Sequence, residues 1–151
     1  MKAVIQRVSN AWVDVDGERI AEISSGLAVL LGVAKGDTET EVKYLAEKTA
    51  NLRIFEDENE KMNLSALDIN ASIIVVSQFT LLANWRKGRR PGFDNAAPPV
   101  EAENLYMKFV EQLKLMGLDV HTGRFAAHMV YGIVNDGPVT IVMDTNETNN
   151  V

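Results

Sequence analysis

Apolar and polar residues alternate along residues 11–16, with the two-residue period of a half-buried β-strand. Asp16-Gly17 then has the composition of a tight hairpin turn, so residues 18–23 are predicted to return as a second strand. Residues 27–33 are a continuous apolar run bounded by glycines, which predicts a buried strand. The chain therefore begins with strands, and its early hairpin indicates antiparallel pairing.

Two helices are predicted further along. Thr38 and Glu41 form a capping box, and apolar residues follow at helical spacing as far as residue 52. A Pro-Pro pair at positions 98–99 opens the second helix, which Gly117 ends. Other apolar runs predict strands at residues 72–77, 118–122, 129–134 and 139–143, and residues 53–55 could form a further short strand.

The order of these elements predicts one α+β domain over residues 1–151, with a frayed tail at residues 144–151. We expect a curved, mostly antiparallel sheet or open barrel packed against two main helices. The length of 151 residues favours a single domain that can bury its own core.

Composition limits the kinds of catalytic and binding site that the chain can form. The chain has no cysteine, so thiolate chemistry and disulfides are excluded. It has two histidines, His121 and His128, and no acidic pair beside either at metal-ligand spacing, so we expect no metal and no cofactor. No apolar run is long enough for a membrane helix, and the charged N-terminus does not have the pattern of a signal peptide. We therefore expect a cytoplasmic protein without membrane partners.

A net charge of −6 argues against a protein that coats nucleic acid, and no DNA partner is expected. One basic cluster stands out: Arg86, Lys87, Arg89 and Arg90. Such a run is more often a solvated surface than a binding site. It lies in residues 84–99, the longest irregular stretch, and long loops in small domains are often functional.

Polar residues follow the apolar run at residues 73–76, and this change has two interpretations. Ser77, Gln78 and Thr80, which flank Phe79, could be a strand end reaching the surface. Alternatively, their hydroxyl and amide groups could orient a substrate or stabilise an oxyanion.

Residues 135–140 read Asn-Asp-Gly-Pro-Val-Thr between two predicted strands. Asp-Gly-Pro is good turn chemistry, and a simple turn is one interpretation. The bond between Gly137 and Pro138 could also be cis, which is usually a selected feature of a fold. A cis bond would direct two rigid carbonyl groups to one side, where they could hold an amino group.

Several motifs occur together along the chain, and in this order it resembles the D-aminoacyl-tRNA deacylases. The motifs are MKAVIQRV at residues 1–8, NLRIF at 51–55, KMNLS at 61–65, SQFTL at 77–81, KGRRP at 87–91, AA at 96–97, LY at 105–106 and NDGPVT at 135–140.

The resemblance implies a homodimer that hydrolyses the ester between a D-amino acid, or glycine, and the 3′-terminal adenosine of tRNA. It implies a cis Gly137-Pro138 bond inserted into the partner's site to reject L-amino acids. The expected catalytic residues are Ser77, Gln78, Phe79 and Thr80. The expected substrate-binding residues are Gly137, Pro138, Phe125 and Met129, and the expected tRNA-binding residues are Arg7, Lys87, Arg89 and Arg90.

The role of Thr80 is open between two hypotheses. Its hydroxyl could be the nucleophile, which would require an activating base. We prefer the hypothesis that the substrate's 2′-hydroxyl helps to activate water and that Thr80 positions the reactants. Two positions depart from the family pattern: Ala126 stands where glycine is usual, and Asn84-Trp85 replaces the usual residues.

The rival functions are a general esterase, a deacylase with another acyl-tRNA preference, a nucleic-acid-binding module such as a replication-associated factor, and a structural protein. Aromatic and basic residues are not interleaved along the sequence, which argues against the nucleic-acid-binding module.

Overall fold

The computed structural model describes residues 1–147. Its elements are β1 (Lys2–Val15), β2 (Glu18–Ile23), β3 (Gly26–Gly32), α1 (Glu39–Asn51), β4 (Phe55–Glu56), β5 (Met62–Leu64), α2 (Ala66–Ile69), β6 (Ser72–Ser77), α3 (Pro99–Leu115), β7 (Asp119–Thr122) and β8 (Val130–Asp144). A short 3-10 turn, Phe79–Leu82, follows β6. The α+β class and the two main helices, α1 and α3, are as predicted.

The main sheet has the order β2-β1-β3-β6-β7, and β8 pairs with β1. β1 is antiparallel to β2, β3 and β8, whereas β3–β6 and β6–β7 are parallel. The sheet is therefore mixed, with its parallel part at the end that β7 closes. This explains why both faces of β6 are buried, since parallel strands are usually covered on both sides.

Each face of the sheet carries a core. On one face, α1 and α3 cover residues such as Ile5, Leu31 and Val75. On the other face, Val8, Ile74 and neighbouring residues pack together with Met129 and Tyr131 from the β8 region. The Tyr131 hydroxyl donates to the Ile74 carbonyl over 3.1 Å. The start of β8 thus lies over β6, which shows that the sheet is strongly curved.

Local signals account for the ends of α1 and of the first hairpin. Thr38 and Glu41 form the predicted capping box. Asp16 and Gly17 have φ values of 51° and 78°, as a tight hairpin turn between β1 and β2 requires.

The C-terminal segment differs from the sequence-based expectation in two respects. The two predicted strands around residues 135–140 are a single strand, β8. The predicted frayed tail starts later than residue 144, because Asp144 ends β8 and the Thr145 amide donates to the Met1 carbonyl over 2.9 Å. Residues 148–151 of that tail lie outside the described residues.

Candidate active site

The end of β6 leads directly into the first candidate segment. The Gln78 amide donates to the Leu31 carbonyl over 2.8 Å, which continues the β3–β6 pairing by one residue. The 3-10 turn then packs on Gly32, where an added Cβ would lie 2.5 Å from Leu82 Cδ2 and 2.9 Å from the Gln78 carbonyl oxygen. Only glycine permits this close approach, so Gly32 helps to position the segment.

A cavity of about 730 Å³ opens beside this turn. Its walls include five of the predicted site residues: Ser77, Gln78, Phe79, Phe125 and Met129. The walls are mainly apolar with few polar groups, as is usual for small-molecule sites. Thr80 lies next to this wall and is exposed, and its hydroxyl accepts a hydrogen bond from Gln78 Nε2.

Aromatic side chains shape the cavity. Phe79 and Phe93 form an edge-to-face pair with ring centroids 5.0 Å apart. Phe125 packs at 6.1 Å from Tyr106, whose buried hydroxyl donates to the Val75 carbonyl. Burial raises the pKa of Tyr106, so it remains a neutral donor.

Several wall residues escaped the sequence analysis, among them Lys35, Phe93, His128 and Tyr131. Phe93 lies within the irregular stretch at residues 84–99, and His128 is one of the two histidines of the chain. Nothing in the local pattern around Lys35 or Tyr131 signals a cavity.

The amide N–H groups of Phe79 and Thr80 are free donors, since neither has a hydrogen-bond acceptor among residues 1–147. The first N–H groups of any helical turn lack an internal partner. Because Phe79 also forms part of the cavity wall, these two groups are suited to binding a negatively charged oxygen there.

The second candidate segment is a projection from β8. Asn135 pairs with Val8 and Thr140 with Gln6, so four residues of β8 lie opposite the single residue Arg7. Residues 136–139, the Gly-Pro loop, therefore leave the plane of the sheet. Asn135 Nδ2 closes the base of the loop by donating to the carbonyls of Arg7 and Val139, both over 3.0 Å.

Gly137 and Pro138 are exposed at the tip of the Gly-Pro loop, and their bond is cis, as predicted. Gly137 has a φ of 126°, a conformation that other residues rarely adopt. A Cβ at Gly137 would also lie 3.0 Å from Arg7 Nη2. Both the backbone conformation and the space therefore require glycine at this position.

Arg7 is placed differently from the prediction that it binds tRNA. It is buried, its Nη1 donates to the Ile54 carbonyl over 2.7 Å, and its Nε contacts the Asp136 carbonyl at 3.2 Å and carboxylate at 3.3 Å. A guanidinium with these internal partners is not available to a phosphate. Arg7 instead anchors the Gly-Pro loop.

The other predicted tRNA-binding residues lie on a loop at residues 84–92, which we call the basic loop. Arg86, Lys87, Arg89 and Arg90 are all exposed, and none forms an ion pair with any residue in 1–147. They are free to contact an anionic partner.

The two candidate segments are not neighbours within one chain. β8 and β6 are separated in the sheet by β1 and β3, which corresponds to about 14 Å at the usual strand spacing. Tyr131 of β8 does reach the cavity, but Gly137 lies six residues further along the strand, or roughly 20 Å in extended chain. Neither Gly137 nor Pro138 lines the cavity.

Comparison with known proteins gives one consistent family. A family model described as D-Tyr-tRNA(Tyr) deacylase matches residues 4–144. A D-aminoacyl-tRNA deacylase of Thermosipho africanus is 56% identical over 97% of this chain and 99% of its own length. The corresponding protein of Geobacter sulfurreducens is 57% identical over 96% of this chain and 95% of its own.

Solved structures share the fold. A structure named c-Myc DNA Unwinding Element Binding Protein superposes with a TM-score of 0.91 at 44% identity, covering 97% of this chain and 100% of that one. Another, described as a "probable eukaryotic D-amino acid tRNA deacylase", gives 0.79 at 16% identity over 94% and 97% of the two chains, and supports the fold alone. Within residues 1–147, none of the helices has the length and apolar character needed to cross a membrane.

Proposed function

The chain belongs to the D-Tyr-tRNA(Tyr) deacylase family and is a D-aminoacyl-tRNA deacylase, and on that premise we propose how its site works. The cavity binds the aminoacylated 3′-terminal adenosine, and water cleaves the ester in the cytoplasm. This proposal rests on one observation: Ser77, Gln78 and Phe79 line a large, mostly apolar cavity. A volume of about 730 Å³ accommodates a nucleoside bearing an amino acid.

Hydrolysis proceeds by addition of water to the ester carbonyl. The amide N–H groups of Phe79 and Thr80 stabilise the resulting oxyanion. The bond between the carbonyl carbon and the 3′-oxygen then breaks, and the 3′-oxygen leaves with a proton to give free D-amino acid and tRNA. The substrate's 2′-hydroxyl helps to activate the water, while Thr80, held by Gln78 Nε2, positions the reactants.

Selection between enantiomers comes from the Gly-Pro loop of a second subunit. The carbonyl groups of Gly137 and Pro138 enter the partner's cavity, bind the substrate ammonium and occupy the space that an L side chain would need. Glycine has no side chain to exclude, so glycyl-tRNA, including tRNA-Ala mischarged with glycine, is also a substrate. Support comes from the exposed, anchored tip of the loop and from its separation from the cavity of its own chain.

A homodimer is supported by the surface of β8. This strand is 15 residues long and pairs only with β1 among the described residues. Val130, Val134 and Val142 are 58%, 45% and 68% exposed along it. A long edge strand with exposed apolar residues is an aggregation hazard unless another surface covers it. A second copy that also receives the Gly-Pro loop would cover it.

The basic loop contacts the phosphates of the acceptor end. Lys87, Arg89 and Arg90 are exposed and unpaired within residues 1–147, in a protein whose net charge is −6. If Arg89 neutralises a phosphate, R89A will lower the salt dependence of KM for tRNA by about one unit of log-log slope. An unchanged slope would mean that the basic loop is solvated surface and does not contact tRNA phosphates.

The deciding measurement is ester loss from D-tyrosyl-tRNA and L-tyrosyl-tRNA under the same conditions. We expect cleavage of the D form and of glycyl-tRNA, with the L form at least about a hundredfold slower. Comparable cleavage of the L form would refute chiral selection. No cleavage of any ester, together with tight binding of single-stranded DNA, would favour a DNA-binding function like the one named for the solved structure.

The shared site can be tested by mixing two inactive variants. G137A damages the inserted loop and F79A damages the receiving cavity, so each homodimer lacks both working sites. Random exchange of subunits makes half of the dimers mixed, and each mixed dimer has one intact site. Activity should therefore recover to about a quarter of wild type. No recovery after confirmed exchange would place both segments in the same subunit's site.

A further inference from the structure

The basic loop rises from the rim of the cavity. Asn84 and Gly92 close its base through two backbone hydrogen bonds of 2.8 and 3.0 Å. The next residue, Phe93, forms the edge-to-face pair with Phe79 in the cavity wall. A ligand that leaves the cavity past this aromatic pair therefore meets the basic loop directly.

Trp85 on this loop is largely exposed to solvent. It is 71% exposed, and Arg86 covers one face of its ring at 5.4 Å from the centroid. The other tryptophan is used by the fold: an added Cβ at Gly132 would lie only 1.9 Å from Trp12, and Arg19 covers the Trp12 ring at 5.0 Å. Tryptophan and arginine are among the residues most enriched where proteins bind their partners.

We propose that Trp85 is a stacking platform for an unpaired nucleotide of the single-stranded 3′ end of tRNA, next to the terminal adenosine. Arg86 lies over the ring, and the high exposure of Trp85 leaves room for a base to stack on it. Stacking on an aromatic side chain flanked by cations is the usual means of binding single-stranded nucleic acid. This inference rests on the proposed function, because it requires the adenosine ester to occupy the cavity.

The positive charge of the basic loop favours a nucleic acid over a protein as its partner. Four of the nine residues in the basic loop are Arg or Lys, whereas the chain as a whole is acidic. The four cations are available for phosphates on either side of the stacked base. Trp85 is the only aromatic residue within residues 84–92, so the loop offers one stacking position rather than an apolar docking face.

Kinetics with a long and a short substrate test the proposal. D-tyrosyl-tRNA reaches the basic loop, whereas D-tyrosyl-adenosine ends inside the cavity. W85A should raise KM for the tRNA about tenfold more than KM for the adenosine ester, and W85F should restore most of the difference because phenylalanine also stacks. L115A removes another residue that is 73% exposed, at the far end of α3, and should change neither KM.

Equal effects of W85A on the two substrates, or no effect, would overturn the proposal. If the wild-type protein cleaves neither ester, the proposed function fails, and the stacking inference is then judged by fluorescence alone. Stacking should quench the emission of wild-type protein on titration with a hairpin RNA ending in single-stranded CCA, but not that of W85F. A blunt-ended hairpin should quench neither protein. Equal quenching by both hairpins, or quenching only by a protein ligand, would contradict a single-strand platform.

Discussion

Arg7 Nε lies 3.2 Å from the main-chain oxygen of Asp136 and 3.3 Å from its carboxylate. One buried nitrogen thus binds both the backbone and the side chain of the residue before Gly137. The same guanidinium donates to the Ile54 carbonyl over 2.7 Å. The orientation of the exposed Gly-Pro loop is therefore set by a residue in the core of the sheet.

Replacement of Arg7 should impair activity by displacing the Gly-Pro loop. R7K keeps the charge, but a single ammonium cannot reproduce the geometry of the planar guanidinium. We expect kcat/KM to fall about a hundredfold, since small displacements of positioning groups have effects of that size and the displaced carbonyls no longer hold the substrate ammonium. D136N keeps the main-chain contact and is the matched control, with a much smaller loss. Equal losses would mean that the carboxylate, not the anchored backbone, sets the orientation.

Thr80 should be dispensable for bond cleavage. Its hydroxyl contacts Gln78, and no carboxylate or imidazole hydrogen-bonds to it among residues 1–147, so the base that a nucleophilic threonine would need is missing. T80A should retain activity within about tenfold of wild type, and T80S should lose less. A substrate with a 2′-deoxy terminal adenosine should not be cleaved by any of these proteins. Complete loss in T80A with normal cleavage of the 2′-deoxy ester would identify Thr80 as the nucleophile.

Ala126 carries a measurable conformational cost. Its φ is 61°, in the left-handed region, which glycine adopts without strain but alanine does not. A126G should raise the free energy of unfolding by about 1 kcal/mol, measured by urea denaturation. A127G, at the neighbouring residue, should destabilise the protein instead. A lower stability of A126G would show that the methyl group, which borders the cavity, contributes more by packing than it costs in conformation.

The capping box of α1 should contribute to the pH dependence of stability. Hydrogen bonds from the Thr38 hydroxyl and amide lower the pKa of Glu41 below its ordinary value of 4.5. A lowered folded-state pKa stabilises the protein above the unfolded value, and this contribution is lost as pH falls through the folded pKa.

E41Q should therefore be less stable than wild type at pH 7, and the two stabilities should converge between about pH 5 and pH 3. Urea unfolding across this range measures the difference. E47Q, which removes a carboxylate of the same helix without a side-chain hydrogen bond in the described chain, is the control and should parallel wild type. A constant gap between E41Q and wild type would contradict the linkage.

Local sequence patterns predicted the structure correctly wherever residues close together in the chain determine it. The hairpin at Asp16-Gly17 and the capping box of Thr38 and Glu41 depend on residues within a few positions of one another, and both were predicted correctly. The cis bond at Gly137-Pro138 was likewise anticipated. The motifs around Ser77 and Gly137 also indicated the family, because their joint order is specific even though each segment alone could be a strand end or a turn.

Tertiary structure decided what those segments do. Arg7 was expected to bind tRNA, yet the pairing of β1 with β8 buries it opposite the Gly-Pro loop. That pairing joins residues about 130 positions apart, and no local pattern encodes its register. The same long-range packing brings Phe93 and Tyr131 into the wall of the cavity and keeps Gly137 outside it. The sequence therefore determined the chemistry that is present, and the curvature and register of the sheet determined which groups can act together.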